Sequence, residues 1–246
     1  MTQQTLFGIA GASEPDLERT GGLHVAADEA FATAVRLQLD ETSWVDHVQG
    51  WLDGDDELMA MLMQQAAWEQ RSRWMYTRMV EEPRLTAEYP VIAAAPQPVL
   101  HYLAGVLSAH YGRPYTRLWM NWYRDNNDGT GWHADRPANR LDEAVIPVLS
   151  LGATRKFLIR PDGGGPSKTI VAHGGDLVVM GGRCQKDYQH SVPKQKHPAT
   201  ARLSLNFSTD TSAVDAGHSG VLHLDNGVGR LLHRRGTRPA RVPRPG

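Results

Sequence analysis

The chain has 246 residues, with 26 Lys and Arg against 27 Asp and Glu, a formal net charge of −1 and 41% hydrophobic content. This is ordinary for a globular protein of one large domain or two small ones, and it excludes a global electrostatic pull toward nucleic acid. The single cysteine, Cys184, excludes an internal disulfide framework and a cysteine-rich zinc site, and it reads as a small buried hydrophobe in a reducing compartment. No apolar run approaches the roughly eighteen residues that span a bilayer, and the first five residues lack the charged start of a signal peptide. A cytoplasmic protein with no membrane partner and no evident protein partner is therefore expected.

In chain order, residues 1–22 are polar, end in Gly21-Gly22 and read as an extended lead-in. Residues 35–39 alternate as a strand, with Asp40 and Ser43 marking the turn after it. Asp55-Asp56 then caps an expected helix over 57–67, with Leu58, Met61, Leu62 and Gln65 along one face. A second helix is expected over 98–111, with Val99, Leu103, Val106, Leu107 and His110 as its stripe and Gly112-Arg113-Pro114 as its stop.

Beyond it the chain turns β-rich. Strands are expected at 118–123, 144–151, 156–160, 169–172, 176–180 and 202–207. Short strands at this density behind two helices give an α+β, mainly β protein: a sandwich or jelly roll braced by N-terminal helices. His173-Gly174-Gly175-Asp176 has the chemistry of a turn, and 161–166 that of a flexible loop. Six arginines fall in the last seventeen residues of a Pro-rich end, so 211–246 reads as a flexible tail; phosphate attraction and simple solvation both remain open for it.

The chemistry centres on Trp132-His133-Ala134-Asp135 and a distant Asp187-Tyr188-Gln189-His190. Two residues apart on an extended strand, His133 and Asp135 share a face, and His190 could complete two imidazoles and a carboxylate that leave half of an octahedral iron open. With eleven histidines in the chain, a single H-x-D is weak and on its own reads more readily as a satisfied surface or core histidine. Its company raises it. Asn121-Trp122-Tyr123 lies upstream, and Arg202-Leu203-Ser204-Leu205-Asn206-Phe207 follows His190 by twelve residues.

Taken with Leu149-Ser150-Leu151-Gly152-Ala153, with His173 to Met180, with His190-Ser191-Val192-Pro193-Lys194 and with Glu82-Pro83-Arg84-Leu85-Thr86-Ala87 and Tyr89, these segments resemble, in order, the AlkB family of iron- and 2-oxoglutarate-dependent dioxygenases over about residues 35–208. The resemblance implies a double-stranded β-helix as a single domain over 23–210. It implies Fe(II) on His133, Asp135 and His190, and 2-oxoglutarate held by Asn121, Tyr123 and Arg202 with Ser204 and Ser208. Arg202 would take the distal carboxylate, which suits a forked guanidinium. With O2, the implied reaction removes N-alkyl groups from bases in alkylated DNA or RNA, releasing formaldehyde and succinate. Tyr89 and Trp132, with Trp74 and Tyr76, are candidates for walls around a base taken out of the stack; for Tyr89 a packing role stands evenly beside this, and for Trp74 and Trp132 a core role is the favoured reading.

Three positions depart from the family pattern. Ser208 stands where a second arginine is usual, leaving Arg155 or Lys156 as possible compensation. Pro137 stands where an acidic residue often meets the base, with Asp142 or Glu143 as substitutes. Glu88 stands where a tryptophan is common and would locally repel phosphate. Two other readings follow: a 2-oxoglutarate-dependent hydroxylase of another substrate, and a weakly active, metal-holding nucleic-acid-binding module.

Overall fold

The computed structural model describes residues 17–75 and 77–210; the lead-in before Leu17, Tyr76 and the arginine-rich tail lie outside the described residues. The chain runs α1 (Leu17–Thr20), β1 (Ala26–Ala27), β2 (Ala34–Gln38), β3 (Ser43–Val48), β4 (Leu52–Asp53), α2 (Asp55–Gln65), β5 (Glu69–Met75), β6 (Arg78–Tyr89) and α3 (Pro98–Tyr111). It continues β7 (Arg117–Tyr123), β8 (Thr130–His133), β9 (Ile146–Gly152), β10 (Arg155–Pro161), β11 (Lys168–Ala172), β12 (Leu177–Gly182), α4 (Cys184–Asp187), β13 (Tyr188–Val192) and β14 (Arg202–Ser208).

Eight strands form one antiparallel sheet in the order β2-β3-β12-β9-β14-β7-β6-β5, and four form a second in the order β11-β10-β13-β8. The two sheets make the jelly roll, or double-stranded β-helix, expected from the sequence. Period-two alternation divides the large sheet into two faces. Leu118, Met120, Leu203, Leu205, Phe207, Leu149 and Leu151 share an apolar cluster with Leu58 and Leu62 of α2 and with Leu100, Leu103 and Leu107 of α3. On the other face, Val148, Val178 and Met180 meet Phe157, Ile159, Ile170 and Val192 of the small sheet.

Helix α3 spans the expected residues, entered through Pro98 and stopped by Gly112 at φ 62. Its preset φ at the first turn and a left-handed stop explain why both ends were readable. Helix α2 differs from expectation. Asp55 and Asp56 lie inside its first turn, and the cap position is Gly54 at φ 77 with no side-chain cap bond. The carboxylates contribute there through the helix dipole rather than as caps. Its buried residues are Leu58, Met59 and Leu62, while Gln65 is exposed. Leu17–Thr20 is a helical turn inside the segment expected to be extended. The strands β3, β5, β6 and β13 were not expected; β6 contains Pro83 and five charged residues, which hid its alternation.

Candidate metal centre and cosubstrate pocket

His133 ends β8 and pairs directly across the sheet with His190 of β13. Asp135 lies two residues beyond the end of β8, so the extended strand expected to carry both residues stops at the first. Their ligand atoms nevertheless all fall within 4.8 Å of one another, the only such His/Cys/Asp/Glu group among the described residues. Asp135 Oδ1 stands 3.6 Å from Nε2 of both histidines. That is too far for hydrogen bonds and is the spacing of three ligands around an ion.

Each ligand is aimed by a neighbour. His133 Nδ1 lies 2.9 Å from the Gly131 carbonyl, which favours the proton on that nitrogen and leaves Nε2 its lone pair. The His190 ring stacks on Phe157 at 5.3 Å between centroids. Burial, against the pull of Asp135 and helped by nearby His133, pushes the His190 pKa down to about 4, so the ring is neutral near pH 7. Gln185 of α4 grips Asp135 twice: the Asp135 backbone N–H donates to Gln185 Oε1 at 2.8 Å, and Gln185 Nε2 donates to Asp135 Oδ2 at 3.1 Å. Oδ1 is thereby left toward the imidazoles. Gln185 is buried on a four-residue helix, and no sequence pattern announces it.

A cavity of about 310 Å³ runs between the sheets, lined by the triad and by Asn121, Tyr123, Arg202, Ser204 and Ser208. These side chains share the inner face because β14 pairs with β7 so that Arg202 meets Tyr123, Ser204 meets Asn121 and Ser208 meets Arg117. Arg202 is 1% exposed. Its Nη2 donates to Ser150 Oγ at 2.8 Å, yet its Nε and Nη1 have no hydrogen-bond partner. A buried guanidinium with two unpaired donors in the wall of a cavity costs free energy unless a partner completes it, and a carboxylate is the matching shape. The residues therefore fit 2-oxoglutarate.

A model of the 2OG-Fe(II) oxygenase superfamily matches residues 45–208. The chain belongs to that superfamily. Curated relatives that the chain resembles are AlkB proteins. It is 33% identical over 175 residues to rat alpha-ketoglutarate-dependent dioxygenase alkB homolog 3 and 32% identical to the human one, covering 63% of this chain in both cases. It is 27% identical over 135 residues, half of its length, to human DNA oxidative demethylase ALKBH2. The matches span only 59% and 61% of the two homolog 3 proteins and 51% of the ALKBH2 protein. The solved structure of OsALKBH1 superposes with a TM-score of 0.50 at 13% identity over 72% of this chain and all of that one, a likeness of fold.

Other AlkB-like expectations meet a different arrangement. Tyr89 leaves the cavity and packs against the helix-side core, while its neighbour Glu88 lines the cavity, as alternation along β6 requires. Trp132 points away from the cavity, unlike the adjacent His133, and Arg160 lies over its ring at 4.0 Å. Trp74 is 65% exposed on the edge hairpin. Neither proposed substitute for an arginine at Ser208 reaches it. Arg155 lies near Arg202 and Tyr123, Lys156 is exposed, and the cation beside Ser208 is Arg117, directly across the strand pair. Asp142 is tied to Lys186 at 2.6 Å, and neither it nor Glu143 lines the cavity. Glu88 is neutralised by Arg71 at 3.5 Å and Arg117 at 3.6 Å, so it does not repel a phosphate as a lone charge would.

Arg84 was quoted in the upstream segment without a role, and the structure gives it one. Its Nε donates to Asn121 Oδ1 at 2.8 Å, beside Trp119 Nε1 at 3.0 Å. With two donors on the oxygen, the Asn121 amide turns its nitrogen toward Ser204 Oγ, 3.1 Å away. Alternation places Arg84, Glu88, Trp119 and Asn121 on one face, a signal available once β6 is recognised as a strand.

Proposed function

We propose that this chain is an Fe(II)- and 2-oxoglutarate-dependent dioxygenase that removes N-alkyl groups from bases in DNA or RNA. One observation carries the reading: buried Arg202, with two donors that have no hydrogen-bond partner, lines the same cavity as His133, Asp135 and His190. A metal triad alone serves many purposes, but a triad and a carboxylate cradle in one cavity call for a keto acid held beside the ion. The AlkB homologues bear names of dioxygenases and DNA oxidative demethylases, which supports the choice of substrate.

In this reading His133, Asp135 and His190 hold Fe(II), which when bound supplies the activation of O2. Arg202 takes the distal carboxylate of 2-oxoglutarate, and Asn121, oriented by Arg84, offers its amide N–H groups. Tyr123 is tied through its hydroxyl to Thr130 at 2.9 Å and walls the cosubstrate pocket. The reaction balances as N–CH3, 2-oxoglutarate and O2 giving N–CH2OH, succinate and CO2. The hydroxymethyl group then leaves as formaldehyde and the base regains its N–H. The chain contributes orientation and exclusion of water. Residence in the cytoplasm, where a lone thiol stays reduced, belongs to the same proposal.

The test supplies the full chain with Fe(II), 2-oxoglutarate, O2 and an oligonucleotide carrying 1-methyladenine or 3-methylcytosine, following succinate, formaldehyde and restored base together. All three should rise in equal amounts, and His133→Ala should abolish them. Succinate without base repair would replace the substrate assignment with another hydroxylation. No succinate under any condition would leave a metal-holding binding module.

A further inference from the structure

Among the cavity-lining side chains, Trp119 is absent from both apolar clusters that stabilise the fold. Its neighbours Leu118 and Met120 point into the helix-side core, so alternation turns the indole to the cavity face. It is only partly buried there, unlike Tyr123 and Phe157 deeper in the cavity. A large apolar ring left partly exposed beside a polar pocket offers surface that a ligand could cover, with the hydrophobic free energy that its burial brings.

The indole is also held in place. Its Nε1 donates to Asn121 Oδ1 at 3.0 Å, and the Arg71 guanidinium lies over the ring, 4.3 Å from a ring centroid. Arg71 is itself paired with Glu88 at 3.5 Å, and Asn206 Nδ2 donates to the Trp119 carbonyl at 2.9 Å. The ring is thus a flat surface whose orientation is set before any ligand arrives, which lowers the entropy lost on binding. Arg71 occupies one face of the indole and the remainder forms cavity wall. Arg84, Arg113, Arg117 and Arg136 line the same cavity, with Glu88 and Asp135 as its acidic groups. A flat apolar surface beside several guanidinium groups matches a heterocycle joined to a phosphate.

We propose that Trp119 is the platform on which the substrate base stacks, the role that neither Tyr89 nor Trp132 is placed to fill. This rests on the nucleic-acid reading above and adds the residue that sets how the base lies. Because Trp119 also contacts Asn121, two variants separate stacking from an effect through the cosubstrate. Trp119→Phe keeps a ring and loses the N–H; Trp119→Ala loses both.

The full chain with Fe(II) and 2-oxoglutarate under nitrogen would be titrated with a short single strand carrying one 3-methylcytosine, and Kd read by fluorescence anisotropy. Stacking predicts that Trp119→Ala weakens binding by roughly 5- to 100-fold while Trp119→Phe stays within about threefold of the parent. Quenching of tryptophan emission by the oligonucleotide should fall in both variants. Equal losses in Phe and Ala, or a change confined to the KM for 2-oxoglutarate, would overturn the proposal in favour of a role through Asn121. Unchanged oligonucleotide Kd in Ala, with parent-like thermal unfolding, would also overturn it while leaving the nucleic-acid reading intact. A parent protein that neither binds nor repairs the oligonucleotide would sink both. Should Trp119→Ala fail to fold, Arg71→Ala, which frees the ring without removing it, should still weaken oligonucleotide binding severalfold; parent-like affinity there would count against the platform.

Discussion

Two aspartates in this molecule each stand between two histidines, and they do opposite things. Asp176 Oδ2 is 3.1 Å from His47 Nε2 and 3.3 Å from His173 Nδ1, and the same carboxylate accepts the backbone N–H groups of His173 and Gly50 at 2.9 and 2.8 Å. Asp135 Oδ1 is 3.6 Å from each of its imidazoles and makes no hydrogen bond to either. One cluster is closed on itself, and the other is held open by Gln185. Residue composition is identical in the two; saturation distinguishes structure from chemistry.

Two buried arginines that both face the Tyr123 ring repeat the contrast. Both are 1% exposed. Arg155 donates to the carbonyls of Asp125, Asp128 and Pro193 at 3.1, 2.7 and 2.8 Å, tying three loop carbonyls together and leaving only its Nε without a hydrogen-bond partner. Arg202 donates through Nη2 to Ser150 Oγ and lies over the Tyr123 ring, while its Nε and Nη1 have no hydrogen-bond partner. Burial lowers the pKa of both guanidinium groups, and neither loses its charge in the working range.

Exchanging these two arginines for methionine should break the contrast most strongly. Arg202→Met should weaken 2-oxoglutarate binding by at least about 100-fold, since truncating one partner of a buried charge pair costs about 2–5 kcal/mol. Its unfolding free energy should stay level or rise, because an under-paired buried charge is removed. Arg155→Met should do the reverse. Three loop carbonyls, one of them at a fully buried bond, lose their donor, costing about 1–3 kcal/mol of stability in denaturant titration, with 2-oxoglutarate affinity little changed in the folded fraction. Equal stability losses in both variants would remove the distinction.

A smaller effect is expected at Gln185. Gln185→Leu keeps the volume but releases the Asp135 carboxylate, so affinity for Fe(II), or for Mn(II) as a probe, should fall about 10- to 100-fold with the three ligands still present. Unchanged metal affinity by calorimetry would show that Asp135 is oriented without it.

Saturation is also what the sequence left unreadable. Motif order made the triad, Asn121, Tyr123 and Arg202 legible, because each is a chemistry-bearing residue type at a definite spacing. The α3 helix was legible at both ends because Pro98 and Gly112 act on their own local backbone. Gln185, Arg84 and Trp119 were missed because their roles depend on which neighbour arrives from far along the chain: the Gln185 and Asp135 partners are 50 residues apart, and Arg84 and Asn121 are 37 apart. Tyr89 and Trp132, read as candidate base walls with packing as the alternative, lie off the cavity lining: a one-position shift along a strand moves a side chain to the other face, and the register of β6 was not available before the strand itself was.

The closed aspartate supplies the mildest test, and its pH dependence gives the sign. Burial raises the Asp176 pKa, but the backbone N–H groups of His173 and Gly50 and the side chains of His47 and His173 outweigh it, and the net shift is downward from the usual 3.8. A carboxylate with a lowered folded-state pKa contributes stability that is fully present above its unfolded value and is lost as pH falls through the folded one. Asp176→Asn should therefore lower stability by about 2–3 kcal/mol near pH 6, the cost of hydrogen bonds to a charged group. The gap in unfolding temperature between parent and variant should narrow as pH drops below about 4, while metal affinity at pH 7 stays the same. A gap that widens steadily down to pH 3, or a loss of metal binding at neutral pH, would mean that Asp176 is not a self-contained structural lock, and the two His-flanked aspartates would then not be independent.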